Sequence, residues 1–310
     1  MLSTPPSSGA SLTPAVPAGV LDLLARIPAP TRTNALAWAV RRRPMERRLE
    51  QELVDEVSRC WDGAPLPQAL PELIDHMRVL LSRQALEERT GALVEGPAAS
   101  GKYLHISALQ PLEELLARDR GVIVLTPTYG AWTWIAPALA RRGYTVGSLD
   151  LRPPGHRPHR VPTPGPGLNL RSLSASGLAR DLVEFATRPG HVTVALADEG
   201  CGVRWGTGTL LGRAASVGST PFDLARRADL GLLPVFAVRM QSEHRLVVER
   251  PLKPNPDADP DRELDRLVGK WLKLVSAHAR RRPSHYFPFL LDRRLRRDAD
   301  PMPLFADAGA

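Results

Sequence analysis

A chain of 310 residues, 43% of them hydrophobic, can bury a large core, and one large domain with a helical appendage is the natural expectation. Its net charge of +8 and pI near 10.1 point to an anionic partner, discounted because only four of its 41 basic residues are lysine (Lys102, Lys253, Lys270, Lys273), which suggests a compositional bias toward arginine. Two distant cysteines, Cys60 and Cys201, exclude a disulfide framework and paired metal-ligand spacing, and no run of about 18 apolar residues or signal-peptide pattern occurs, so a cytoplasmic protein, soluble or peripheral to the inner membrane face, is expected.

Residues 1–18 are Pro/Ser-rich with almost no charge and read as a disordered tail. Residues 19–90 form a helical N-terminal region: segments 20–27, 34–43, 45–61 and 70–90 return apolar residues at three and four positions, with glycine and proline between them. From 91 to 300 the rhythm changes to short apolar runs alternating with helical patterns. This predicts an α/β domain with a mixed central sheet covered by helices, forming one structural unit with 19–90. Strands are expected at 91–96, 103–107, 121–126, 145–150, 191–197, 231–240 and 244–250, and helices at 110–118, 131–142, 174–188, 219–228 and 261–281. The segment 152–170 holds six prolines and reads as a lid or a mobile loop.

Within this order, "GPAASGKY" (96–103) matches the G-x-x-x-x-G-K part of a phosphate-binding loop. It places Tyr103 where a Ser or Thr hydroxyl would hold magnesium, and a strand follows instead of a helix, so nucleotide hydrolysis is not expected. His156 and His159 lack a neighbouring carboxylate or cysteine and read as a solvated loop pair, and no metal or cofactor is expected. In "GVIVLTPTYGAWTW" (121–134) a buried strand turns sharply into a helix, where α/β enzymes gather their chemistry, yet the turn carries Thr128 and Thr133 and no histidine or carboxylate. In "LADEGCGVRWGTGTLLGR" (196–213), Asp198 and Glu199 follow an apolar strand at its carboxyl end. Gly200, Gly202, Gly206 and Gly208 would let backbone approach a ligand, and Arg204 could contact an anion; the plainer alternative is a solvated hairpin. The arginine runs at 41–48 and 280–297 read as solvated faces, although His285, Tyr286, Phe287 and Phe289 in the second would also suit an interface with lipid or nucleic acid.

Taken together, "LEELLARDRGVIVLTPTYGAWTW", "LDLRPP", "GLARDLVEFATRPGHVTVALADEGCGV", "GSTPFDLARRADLGLLPVFAVR" and "RPSHYFPFLLDRRLRR" resemble the lysophospholipid acyltransferase superfamily. The likeness is greatest to its bacterial branch of lipid A late acyltransferases and phosphatidylinositol-mannoside acyltransferases, and covers about two-thirds of the chain. That resemblance implies an α/β sheet with a helical N-terminal part, and a turn bearing a histidine, four residues, then an acid, the imidazole acting as general base on the acceptor. Here Thr128 and Thr133 occupy those two places, and the family's N-terminal membrane helix is missing.

The expectation is therefore a diverged transferase of specialised metabolism. It would move an acyl or aminoacyl group from a carrier protein, CoA or aminoacyl-tRNA onto a small amine or hydroxyl acceptor, with no role for DNA. Thr128, Thr133, Asp198 and Glu199 are the expected catalytic residues, with Tyr129, Trp132, Arg152, Gly200 and Arg204 binding substrate. The alternative is an inactive homologue that binds an acyl chain, a carrier protein or a membrane surface.

Overall fold

The computed structural model describes residues 16–27, 29–42, 47–61, 66, 69–90, 104–106, 109–150, 169–174, 179–199, 204–240, 244–295 and 304–305. Among the described residues four helices come first: α1 (Ala18–Ala25), α2 (Ala29–Arg41), α3 (Arg47–Cys60) and α4 (Leu70–Thr90). There follow β1 (Leu104–Ile106), α5 (Gln110–Leu116), β2 (Val122–Thr126), a 3-10 turn (Trp132–Trp134) running into α6 (Ile135–Arg141), and β3 (Thr145–Asp150). Then come β4 (Leu170–Ser174), α7 (Ala179–Thr187), β5 (His191–Leu196), a second 3-10 turn (Ala197–Glu199), β6 (Trp205–Leu210) and β7 (Arg213–Gly218). The chain continues through α8 (Thr220–Ala228), β8 (Gly231–Arg239), β9 (His244–Val248), α9 (Pro260–Arg281), a third 3-10 turn (Pro283–His285) and α10 (Phe287–Leu295).

Among the described residues seven strands form one mixed sheet in the order β1-β9-β8-β2-β5-β3-β4, so the expected α/β class is the observed one. β4, β3, β5, β2 and β8 run parallel, and β9 turns back antiparallel to β8. Parallel strands need crossovers, which the helices between them supply, and these cover both faces of the sheet. The central strand shows the consequence for sequence: Ile123 and Leu125 enter one core while Val122 and Val124 enter the other, so β2 reads as an unbroken apolar run.

The larger core joins that sheet face to α3, α4, α7, α8, α9 and α10, and the second lies under α5 and α6. Helix α4 belongs to two clusters: Leu73, Ile74 and Met77 enter the main core, and Leu86 packs with Leu21, Leu24, Leu36 and Val40 of α1 and α2. The N-terminal helices are thus fastened to the sheet through α4. Helix α9 starts where Asp259 accepts from the Arg262 N–H (3.0 Å) and Pro260 occupies the first turn, and it buries Leu264, Leu267, Val268, Trp271, Leu272 and Val275 at helical spacing.

The structure departs from the sequence reading in several places. Residues 16–18 belong to the folded part, since Val16 is buried and α1 begins at Ala18. β4 and α10 are additional elements, the β6–β7 hairpin answers to the plainer alternative read for 196–213, and residue 174 belongs to β4 and not to α7, which is described from Ala179. Gly206 and Gly208 do not face a ligand: a Cβ on Gly206 would lie 2.6 Å from Val268 and one on Gly208 2.9 Å from Leu272, so these glycines admit α9. His285, Tyr286, Phe287 and Phe289 are buried in the core, which removes them as a lipid or nucleic-acid surface. Residues 1–15, the 91–96 strand, the 96–103 glycine motif, Cys201, Arg152 and Gly200, and the segment 152–168 with His156 and His159, lie outside the described residues.

Candidate functional site

The site is set by register. β2 pairs with β5 so that Thr126 stands opposite Leu196, and both strands leave the sheet at the same edge and the same level. Pro127 ends one strand and the Ala197–Glu199 turn ends the other, bringing two loops together at the carboxyl edge, where open α/β sheets build ligand sites.

Two hydrogen bonds join these loops. The Thr128 backbone N–H donates to Asp198 Oδ2 (2.8 Å), and the Thr128 hydroxyl donates to Asp198 Oδ1 (3.1 Å). Asp198 is 2% exposed and Thr128 half-buried. A carboxylate offers about four acceptor positions, and two of those of Asp198 are taken by Thr128. The threonine hydroxyl cannot take a proton near neutral pH, and among the described side chains of the junction Asp198 is the ionisable one.

Beyond Thr128 the backbone is held tightly. The Tyr129 N–H donates to the Pro127 carbonyl (2.7 Å), the Gly130 N–H to the His285 carbonyl (3.0 Å) and the Ala131 N–H to the Ala237 carbonyl (2.8 Å). Gly130 has φ +58, and a Cβ there would lie 2.3 Å from the Ala237 oxygen, so only glycine fits this close crossing.

Tyr129, expected to line the acceptor site, is fully buried: its ring packs on Phe236, His278 and His285, and its hydroxyl donates to the His278 carbonyl (3.3 Å). It belongs to the core. Alternation along the turn sends Thr128 toward Asp198 and its neighbour inward. Trp132 and Thr133 are buried in the 3-10 turn, Trp132 within the apolar cluster beneath α6, which leaves neither the open position expected for pocket walls. Arg204 is engaged by Asp223 and Asp261 of its own chain, an arrangement that answers its charge without a donor anion. The backbone of Glu199 lies in the 3-10 turn beside Asp198; its side chain is outside the described residues.

The sequence reading missed a buried cluster at the far end of the same turn. Glu87 of α4 receives the Trp134 indole N–H (3.2 Å) and meets Arg83 (3.0 Å), His244 (3.3 Å) and Arg239. Burial alone pushes its carboxyl upward, but Arg239, His244 and Arg83 outweigh that and hold it well below the usual carboxylate range. Burial lowers the His244 imidazole from its usual value, against the raising effect of Glu87, and takes the His285 imidazole down to about 3. His278 pairs with Glu249 (2.8 Å) and is likewise lowered by burial. Cys60 is buried beside Glu56, which pushes its thiol up to about 12 and leaves it unreactive.

At the opposite, amino edge of the sheet lies a groove of about 310 Å³ near Leu115, Arg118, Arg120, Asp229 and Lys253, away from the Thr128–Asp198 junction. No group of three or more His, Cys, Asp or Glu among the described residues could hold a metal ion, and no described helix is long and apolar enough to cross a membrane. Neither a model of a known protein family nor any curated protein matches the chain.

Proposed function

We propose that the chain is a diverged acyltransferase-like transferase, moving an acyl or aminoacyl group from an activated ester or thioester onto a small amine or hydroxyl acceptor at the Thr128–Asp198 junction. What supports the reading is the joining of the β2 and β5 loops through a carboxylate at the sheet's carboxyl edge, in a turn whose sequence resembles that of the lysophospholipid acyltransferases but lacks their histidine. In the transfer, the acceptor nitrogen or oxygen forms a bond to the carbonyl carbon while the C–S or C–O bond to the donor breaks. The departing acceptor proton passes to Asp198 or to water, and the donor leaves as a thiol or alcohol. An amine or hydroxylamine acceptor suits the site, because it attacks without prior deprotonation and needs only orientation and late proton removal.

Purified protein is to be assayed with acyl-CoA, acyl carrier protein and aminoacyl-tRNA donors against amine, hydroxylamine and alcohol acceptors. The expected result is transfer with one donor class that falls roughly a hundredfold in Asp198→Asn. Transfer that is unaffected by Asp198→Asn would remove this site from the reaction.

A second reading has its own support. Asp198 is almost wholly buried and already serves two donors of Thr128, as a structural clamp would. On that reading the chain binds an acyl chain, a carrier protein or a membrane surface without catalysis, and the same assay gives binding without turnover.

A further inference from the structure

The strand–turn–helix from Thr128 to Trp134 is fixed at its start by Asp198, and a site built on a turn is no more exact than the turn's other anchor. That anchor comes from the N-terminal helices. Arg83 and Glu87 lie one helical turn apart on α4, and Glu87 reaches the sheet's carboxyl edge. One carboxylate oxygen meets Arg83 and His244, and the other meets Arg239 and the Trp134 indole. Arg239 ends β8 and is 1% exposed on its side chain; its second guanidinium nitrogen donates to the Gly130 carbonyl (3.4 Å), and its backbone N–H faces His285 Nε2 (3.1 Å).

We infer that Glu87 is a positioning residue for the candidate site. Directly through Trp134 and indirectly through Arg239 and Gly130, it fixes both ends of the Gly130–Trp134 turn, so the helical N-terminal region completes the site. The inference rests on the proposed function for its consequence and on the geometry alone for its mechanism. Without the Glu87 carboxylate, Arg239 is a buried cation with no counter-charge from that side and is free to leave Gly130, while the Trp134 indole loses its acceptor. The turn then loosens while β2 and β5, held by their own ladder, do not.

The test uses Glu87→Gln, which keeps an amide oxygen for the indole but removes the charge, and Trp134→Phe, which removes the indole N–H together with part of the buried ring. Hydrogen–deuterium exchange of the full chain is the readout. In Glu87→Gln the Gly130 and Ala131 amides should exchange about tenfold faster or more, with Ile123–Leu125 of β2 unchanged; Trp134→Phe should give a smaller effect in the same direction. If Glu87→Gln does not fold, Trp134→Phe decides. Wild-type exchange of the turn in every variant that folds, or a uniform loosening that includes β2, overturns the inference. In the transfer assay, Glu87→Gln should lower kcat about tenfold while Thr128 and Asp198 remain intact, and Glu87→Asp, too short to reach, should not rescue it. A turn that loosens in a protein with no transfer activity would support the positioning role and sink the proposed function, so the two fail separately.

Discussion

Thr128 and Asp198, 70 residues apart in the chain, are joined by two hydrogen bonds at 2.8 and 3.1 Å, and both donors belong to the threonine. The pair therefore couples two strand ends through one side chain. A double-mutant cycle with Thr128→Val and Asp198→Asn measures that coupling. Each single change should cost about 1–3 kcal/mol, since a buried charged acceptor loses a donor or its charge, and the interaction energy should be about 1–2 kcal/mol by denaturant unfolding. Additive losses would show that the two residues do not act together.

Tyr129 is expected to behave as core. Tyr129→Ala should destabilise by about 3–5 kcal/mol through the cavity it leaves against Phe236 and the two histidines, whereas Tyr129→Phe, losing one long hydrogen bond, should cost about 1 kcal/mol or less. Thermal or chemical unfolding checks both. A stable Tyr129→Ala protein would contradict the burial.

Arg204 offers the opposite case. Its pairs with Asp223 and Asp261 sit near the surface, with 29% of the arginine side chain and 79% of that of Asp261 exposed. Arg204→Ala should change stability by about 1 kcal/mol or less. The donor KM should also stay unchanged, because the guanidinium already has its anions. A many-fold rise in donor KM would return Arg204 to the binding site.

Acid should weaken the fold through its buried imidazoles. His285 is held neutral to about pH 3, while in the unfolded chain a histidine binds its proton near pH 6.5. The unfolded state thus gains protons first as the pH falls through about 6.5. Unfolding free energy should drop by about 1.4 kcal/mol per pH unit for this one group until its folded pKa is reached. His244 and His278, also lowered by burial, act in the same direction. Glu87 contributes above the usual carboxylate range and loses its share only at stronger acid, as the pH falls through its depressed pKa. Denaturant unfolding at pH 7 and pH 5 tests this: equal stabilities would mean that the His285 imidazole is not held neutral, and His285→Gln should flatten the slope.

The parts of the fold that were legible in the sequence are those whose burial is written locally. β2, β5 and β8 are covered on both faces and read as continuous apolar runs, and α4 and α9 carry apolar residues at helical spacing. The β6–β7 hairpin stands in the sequence only as the plainer of two alternatives, because Gly206 and Gly208 serve the approach of α9, which sequence cannot separate from approach to a ligand. In the site, the Asp198 end of β5 was legible because an acid stands at the end of an apolar strand. Glu87 was not: on α4 it looks like any solvated helix acid, and its partner Arg239 stands 152 residues away. The aromatics of 285–289 misled for a related reason, since the surrounding arginines suggested a surface while the rings turned inward.

The sharing of one core between α3, α4 and α10 has a consequence for how the chain is made. Leu53, Val57, Leu73 and Met77 pack in the same cluster as Phe287, Leu290 and Leu291, and the Trp61 ring lies 6.2 Å from that of Phe287. The early helices leave the ribosome roughly 200 residues before their partners, an interval of about 10–40 s at ordinary elongation rates. For that time their apolar stripes are uncovered. A nascent chain stalled before residue 287 should be a client for holding chaperones, and loss of α10 should send the protein to inclusion bodies even though every residue of the Thr128–Asp198 junction has already been synthesised.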